Sequence, residues 1–479
     1  LDVTTQAQLL EMIRNIAKET NTAVILVTHN LGIVARFAER IYVMYSGSVV
    51  ETAGTRDIFK NSEHPYTRSL LRAIPRLDDP KDRILIPIEG LPPNPALRPD
   101  YCPFYDRCEY RKAECCQKNK PELVKVGEEH YSACWLTKEE LQQKEIEIQN
   151  APKKAAPEKH ISREKVLEVH NVRKYFPVLK GIMKRKVGEV KAIEEITFDL
   201  HKGETLGIVG ESGCGKTTMA RCIMRVYKPE EGEIKFSGVD IAQMNDKELQ
   251  PYRSKISMIF QDPFSSLDPR QTAGSIVAES LIINKSCKTR EELNRRVDEL
   301  FTIVGLDPGL KDRVPHEFSG GQRQRLGIAR ALSSNPDVII CDEPISALDV
   351  SIQAQIINLL EELQAKLGVS YLFIAHDLSM VKYISDRIGV LHLGHLVETG
   401  SKEEIFENPV HPYTKSLLSA IPHTNPRVEK QRKAVGYDYA KSGIRYENGT
   451  RRLVGGTHYV LATDEEFAAW TAQKGTEEQ

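Results

Sequence analysis

Along the second half of the chain, short apolar runs alternate with longer stretches in which apolar positions recur every three or four residues. Thr205-Leu-Gly-Ile-Val209, Val338-Ile-Ile-Cys341 and Tyr371-Leu-Phe-Ile-Ala375 are four or five residues long. Runs of this length without a polar alternation suit strands buried on both faces. Arg290–Leu306 instead places Leu293, Val297, Leu300, Phe301 and Val304 at helical spacing, the mark of an amphipathic helix. A further apolar helix is expected through Ile223 and Met224. The alternation predicts an α/β fold with a mostly parallel core sheet. Val24–Val27 shows the same buried-strand pattern near the start. No run approaches the roughly 18–20 apolar residues of a membrane-spanning helix.

The pattern repeats. Leu1-Asp2-Val3 with Gln6-Ala7-Gln8 matches Leu348-Asp349-Val350 with Gln353-Ala354-Gln355, an offset of 347 residues. The same offset pairs His29 with His376 and His64-Pro65-Tyr66-Thr67 with His411-Pro412-Tyr413-Thr414. Without a gap, 29 of 75 positions are identical. A period this long fits two copies of a domain, not a solenoid. The first copy starts only at Leu1, a Leu where a start codon gives Met, and more of it is expected upstream. Between the copies lies a Pro- and Cys-rich stretch, residues 77–136. After it comes a charged stretch with few large apolar side chains, TKEELQQKEIEIQNAPKKAAPEKH, of linker composition and opening as a short helix.

Charge narrows the function classes. Sixty-six Lys and Arg against 67 Asp and Glu leave a formal charge of -1, so nothing marks nucleic acid as the main partner. The basic run in PVLKGIMKRKVGEVK reads as a solvated hairpin.

The chemistry is carried by a few segments. Gly210, Ser212, Gly213, Cys214, Gly215, Lys216, Thr217 and Thr218 fit the P-loop pattern between a strand and a helix. Glycines there let backbone amides and a helix N-terminus face phosphate oxygens. Lys216 would reach the β- and γ-phosphates, and Thr217 would ligate Mg2+. Asp342 ends an apolar strand, where it can hold the metal shell, and Glu343 follows where a carboxylate can polarise water. Ser319, Gly320, Gly321 and Gln322 open another helix and form a second anion site, suggesting a second molecule's phosphate.

These residues together resemble the nucleotide-binding domain of ATP-binding cassette (ABC) transporters. Phe318-Ser319-Gly320-Gly321-Gln322 resembles the signature motif, with Phe in place of the usual Leu. Gln261 resembles the Q-loop residue, a third contributor to the Mg2+ and water shell, Asp349 and Asp2 the D-loop, and His376 and His29 the switch histidine. Phe176, beside Tyr175, lies where the family stacks an aromatic on adenine. The resemblance implies a P-loop NTPase with a parallel core sheet, an antiparallel β subdomain and a helical subdomain. It also implies head-to-tail pairing, ATP lying between one P-loop and the other domain's signature serine. Glu343, His376 and Gln261 would then be the catalytic set.

Both copies continue through Val-Glu-Thr and Ile-Phe to His-Pro-Tyr-Thr-x-Ser-Leu-Leu-x-Ala-Ile-Pro. This resembles the ATPases of dipeptide and oligopeptide importers, whose relatives also serve nickel or oligosaccharide uptake. Copy one looks like the C-terminal part of a D-type subunit and copy two like a complete F-type subunit. The implied boundaries are 1–76 for the partial cassette, 77–136 for a Cys-rich module, 137–163 for the linker, 164–423 for the complete cassette and 424–479 for a cysteine-free tail. Leu453-Val454 with His458-Tyr459 in that tail echoes Leu123-Val124 with His130-Tyr131.

Cys102, Cys108, Cys115 and Cys134, with Cys116 an alternative to Cys115, favour metal over disulfides beside an ATPase using cytosolic ATP. Thiolates suit zinc or an iron–sulfur cluster. The resemblance adds a [4Fe–4S] cluster. It also implies two transmembrane permease subunits, an extracytoplasmic solute-binding protein, and a second nucleotide-binding domain, from the rest of copy one or from a homodimer. The chain would work on the cytoplasmic face of the cell membrane. A soluble ABC ATPase acting on DNA or ribosomes is the reading from another class.

Overall fold

Five parallel strands form the backbone of the second copy because their side chains are apolar on both faces and can be covered by helices on both. In spatial order they are Ile256–Ile259, Val338–Asp342, Ser370–Ile374, Thr205–Val209 and Arg387–His392. Thr205–Val209, Val338–Asp342 and Ser370–Ile374 are buried along their whole length. The sheet continues antiparallel through His395–Ser401, His458–Ala462 and Thr450–Gly455. The computed structural model describes residues 3–75, 85–90, 93, 99–150, 159–181, 184–346, 348–422, 425–429, 432 and 435–472.

A separate antiparallel sheet, in the order Arg185–His201, Lys165–Lys180, Glu231–Phe236 and Val239–Asp240, covers the face that carries helix Lys216–Ile223. The basic run lies at the exposed end of its long hairpin. Helices Ala273–Ile283, Arg290–Ile303 and Gly320–Ser333 pack around Val277, Phe301 and Leu326 as a helical subdomain. Thr289 caps the second of these and Phe301 is fully buried on the expected face.

Copy one keeps the hairpin Arg40–Tyr45 and Ser48–Gly54, the counterpart of Arg387–His392 and His395–Ser401. In each copy a later hairpin joins the second of these strands: His130–Ser132 lies on Ser48–Gly54, and His458–Ala462 on His395–Ser401. The register is equivalent, Thr52 opposite Tyr131 and Thr399 opposite Tyr459. The echo between the tail and the Cys-rich stretch is thus a shared topology.

Val24–Val27 departs from expectation. It is not a buried strand, and Ile25 and Val27 are each 93% exposed. Its counterpart Tyr371–Ile374 lies between Val338–Asp342 and Thr205–Val209. Among the described residues no strand pairs with residues 24–27, whereas the burial of a strand depends on the ladder on either side of it.

The charged stretch begins as helix Lys138–Asn150, whose Leu141 is buried against Tyr110 and Phe104. The Cys-rich stretch also reaches the second copy. Gln355 Nε2 donates to the carbonyl of Ile88 at 2.8 Å and Asn358 Nδ2 to that of Leu85 at 3.0 Å, both from helix Val350–Leu367.

Candidate functional site

The loop after Thr205–Val209 depends on glycine at two points. Gly210 (φ 153°) runs so close to Leu391 that a Cβ would lie 2.1 Å from its carbonyl oxygen. Gly215 (φ 112°) caps helix Lys216–Ile223, and a Cβ there would lie 2.4 Å from the Ala192 oxygen. Any side chain would push the loop off the strands behind it. Lys216 is buried and curls over the loop, Nζ donating to the carbonyls of Gly210 at 2.7 Å and Glu211 at 2.8 Å. Ser212 and Gly213 lie in the exposed arch, and Thr218 lies in the helix's first turn. Cys214 is buried beside Lys216, and burial pushes its thiol above the usual range.

Thr217 Oγ1 donates to Asp342 Oδ1 at 3.2 Å, bringing together two oxygen donors from helix and strand end. Burial raises the Asp342 carboxyl, with Thr217 opposing. The next residue turns sharply. Glu343 has φ 47° and its N–H donates to the Ile374 carbonyl at 2.8 Å, which swings its side chain out of the strand line. Its carboxylate accepts from Gln261 Nε2 at 2.8 Å and meets His376 Nδ1 at 3.4 Å. Glu343 is held below the usual carboxylate range, first by the His376 hydrogen bond. His376 is raised above the usual imidazole range by the same bond. Three residues expected from separate motifs therefore form one group.

Gln261, Glu343 and His376 line a cavity of about 450 Å³ that also takes in His29 and Gln6 of copy one. Both expected switch histidines face this one space. Asp349 caps helix Val350–Leu367, accepting from the Ile352 N–H at 3.0 Å and from Ser351 Oγ at 2.7 Å. Asp2 lies outside the described residues.

Ser319 caps helix Gly320–Ser333 through a reciprocal capping box with Gln322, at 3.3 and 2.9 Å. Gly321 lies against Ile352, where a Cβ would approach to 2.8 Å. Phe176 is half-buried on strand Lys165–Lys180, edge-on to Tyr227 at 5.3 Å with Lys174 over its ring. Its ring is thus no core residue.

Cys102, Cys108, Cys115 and Cys134 belong to one small core with Phe104 and Tyr110. Burial pushes the Cys108 thiol up strongly and that of Cys134 up to about 12. Among the described residues no group of three or more Cys, His, Asp or Glu is placed to hold a metal ion. The expected ligand set of Cys102, Cys108, Cys115 and Cys134 is not assembled there; the sulfurs of Cys115 and its neighbour Cys116 lie 3.5 Å apart.

One residue was missed as a site contributor. Tyr413 of the His-Pro-Tyr-Thr segment accepts the Glu211 N–H at 3.1 Å, directly on the glycine loop. Its repetition at Tyr66 marked a branch of the family but carried no hint of that contact.

A glycine loop on a buried parallel strand, an acidic strand end and a Ser-Gly-Gly helix start define an ABC-type ATPase cassette. Family models agree: "ABC transporter" matches residues 193–346, and "Oligopeptide/dipeptide transporter, C-terminal region" matches 50–115 and 397–444. The chain is 44% identical over 427 residues to the oligopeptide transport ATP-binding protein OppD of Mycobacterium tuberculosis, covering 89% of this chain and 69% of that one. It is 41% identical over 445 residues to the glutathione import ATP-binding protein GsiA of Pectobacterium atrosepticum, covering 93% and 63%. With the oligopeptide transport ATP-binding protein AppF of Bacillus subtilis it shares 54% over 275 residues, covering 57% and 83%. The chain belongs to the ATP-binding proteins of the oligopeptide and glutathione import ABC transporters.

Proposed function

We propose that the chain hydrolyses ATP to energise import of dipeptides, oligopeptides or a small peptide such as glutathione through an ABC transporter. The convergence of Gln261 and His376 on the Glu343 carboxylate, one residue beyond Asp342, carries this reading. The names of the relatives and the repeated C-terminal region support the peptide branch.

In this reading Gly210–Thr218 cradles the phosphates, its amides and the Lys216 ammonium facing their charge. Phe176 offers its half-exposed ring to adenine. Thr217 and Asp342 are hard oxygen donors at hydrogen-bonding distance, a pair that fits Mg2+, which would neutralise charge on the β- and γ-phosphates. Gln261 reaches toward the same shell. Glu343 accepts a proton from the attacking water, and Gln261 and His376 hold its carboxylate oriented for that transfer. Ser319–Gln322 presents its helix start to the nucleotide of a second nucleotide-binding domain. That domain is the rest of copy one or a homodimer partner, and Asp349 sits at the same junction.

Two membrane permeases and an extracytoplasmic solute-binding protein complete the machine, with this chain docked beneath the permeases on the cytoplasmic face. Among the described residues no helix is long and apolar enough to cross a membrane. The D-type and F-type assignment of the two copies rests on their motifs and on the Cys-rich stretch. Zinc or a [4Fe–4S] cluster on the four cysteines does not fit their placement, since no group of three or more potential ligands is assembled among the described residues.

The test is uptake of a labelled dipeptide into proteoliposomes holding the chain with its permeases. ATP-dependent uptake that Glu343→Gln abolishes supports the reading; ATP hydrolysis with no peptide-dependent uptake or stimulation overturns the peptide assignment.

A further inference from the structure

Behind the glycine loop lies an aromatic and imidazole cluster that no motif reading assigned. The Tyr413 ring stacks on His392, centroids 4.0 Å apart and 26° between planes. Its hydroxyl accepts the Glu211 N–H at 3.1 Å. His392 ends strand Arg387–His392, and the turn after it touches the loop as well, the Gly394 N–H donating to the Cys214 carbonyl at 2.9 Å. Leu391, one residue earlier, is the strand residue against which Gly210 lies. The loop is therefore backed by Tyr413 on one side and by the 391–394 turn on the other.

The tail closes the cluster. Tyr446 Oη and His392 Nδ1 are 2.6 Å apart, and Tyr437 and Tyr439 meet the His392 ring edge-on at 5.7 and 5.8 Å. Copy one builds the same device from different residues. Tyr45 and Tyr66, the counterparts of His392 and Tyr413, stand 4.7 Å apart, and Phe104 of the Cys-rich stretch packs on both at 5.2 and 5.4 Å. In both copies the segment after the cassette covers the tyrosine of His-Pro-Tyr-Thr.

We propose that Tyr413 is a positioning residue for the nucleotide loop, and that the tail, acting through Tyr446 and His392, sets how firmly that loop is held for ATP. This rests on reading Gly210–Thr218 as the nucleotide site. The Glu211 N–H is tied to a rigid ring instead of water, so the arch is ordered before phosphate arrives and less ordering is left to binding. The tail is then a part of the ATP site that touches no nucleotide.

The experiment uses the full chain and a fluorescent ATP analogue with Mg2+. Tyr413→Phe keeps the stacked ring and removes the hydroxyl that accepts from Glu211. It should raise Kd about two- to tenfold, the worth of one neutral hydrogen bond. Tyr446→Phe, which keeps the ring and removes the hydroxyl that meets His392 and Tyr437, should shift Kd in the same direction by less. Thermal midpoints measured alongside separate positioning from folding. A lowered midpoint with Kd unchanged means a merely structural tyrosine and overturns the proposal, as does Kd unchanged in both variants. Lys216→Ala is the control. If the unaltered chain binds no better than Lys216→Ala, the nucleotide-site reading itself falls.

Discussion

Gln261 and Glu343 meet across 82 residues of sequence, the amide Nε2 donating to the carboxylate at 2.8 Å. A carboxylate bonded in this way stays ionised and aimed, which a proton acceptor for water requires. Glu343→Gln keeps the shape of the side chain and removes its basicity. Its expected effect is a fall in turnover of at least about a hundredfold, the lower range for loss of a general base, with Kd for MgATP unchanged. Phosphate release and nucleotide titration on the same preparation check both halves; undiminished turnover removes Glu343 from the role.

His376 gives an independent handle on the same group. Its imidazole is raised first by the hydrogen bond to Glu343, while burial pulls the other way. In Glu343→Gln the first cause is gone and burial remains, so His376 should lose its proton at a lower pH than in the unaltered chain. The sign is fixed by linkage. A raised imidazole contributes stability below its unfolded value, and that contribution fades as pH rises through the folded value. Histidine ring NMR, assigned by difference with His376→Gln, reads the shift directly; an unmoved titration means that the two side chains are not coupled in solution.

The parallel core, the amphipathic helix after Arg290 and the Gly210–Thr218 loop were legible because each depends on local pattern. Val297, Leu300 and Phe301 are buried where their helical spacing puts them. What the sequence concealed was pairing at a distance. Val24–Val27 has the composition of Tyr371–Ile374, yet burial of a strand is a property of its neighbours. The Tyr413 contact was hidden for a related reason, since Tyr413 and Glu211 are 202 residues apart and only the sheet brings them together. The cysteine spacing misled differently. Four thiols within about thirty residues suggested one ligand set, but spacing does not fix where side chains meet, and no group of three or more potential ligands is assembled among the described residues.

The strand argument predicts a contrast in hydrogen exchange. Amides of Val24–Val27 should exchange near the rate of an open chain, while those of Tyr371–Ile374 should be among the slowest, opening only with the core. Mass spectrometry on peptic fragments of the full chain compares them within one sample. Strong protection of residues 24–27 would mean that they find a sheet partner in solution, such as a second copy of the chain.

Glu398 is fully buried, and its carboxylate accepts from the Val410 N–H at 2.7 Å and the His411 N–H at 3.0 Å. His458 Nε2 of the tail hairpin lies 2.7 Å from the same group. Glu51 repeats the arrangement in copy one with Glu63, His64 and His130. The glutamate of Val-Glu-Thr therefore ties the start of the His-Pro-Tyr helix to the hairpin that follows the cassette. Glu398→Ala strands two buried N–H groups, each costing about 1–3 kcal/mol, and should lower the thermal midpoint by several degrees. His458→Ala leaves both N–H bonds intact and removes only the tie to the tail. Its expected result is a small change in midpoint with increased protease cleavage between residues 435 and 472. Equal protease resistance in His458→Ala and the unaltered chain would show that the tail is held by its aromatic cluster alone.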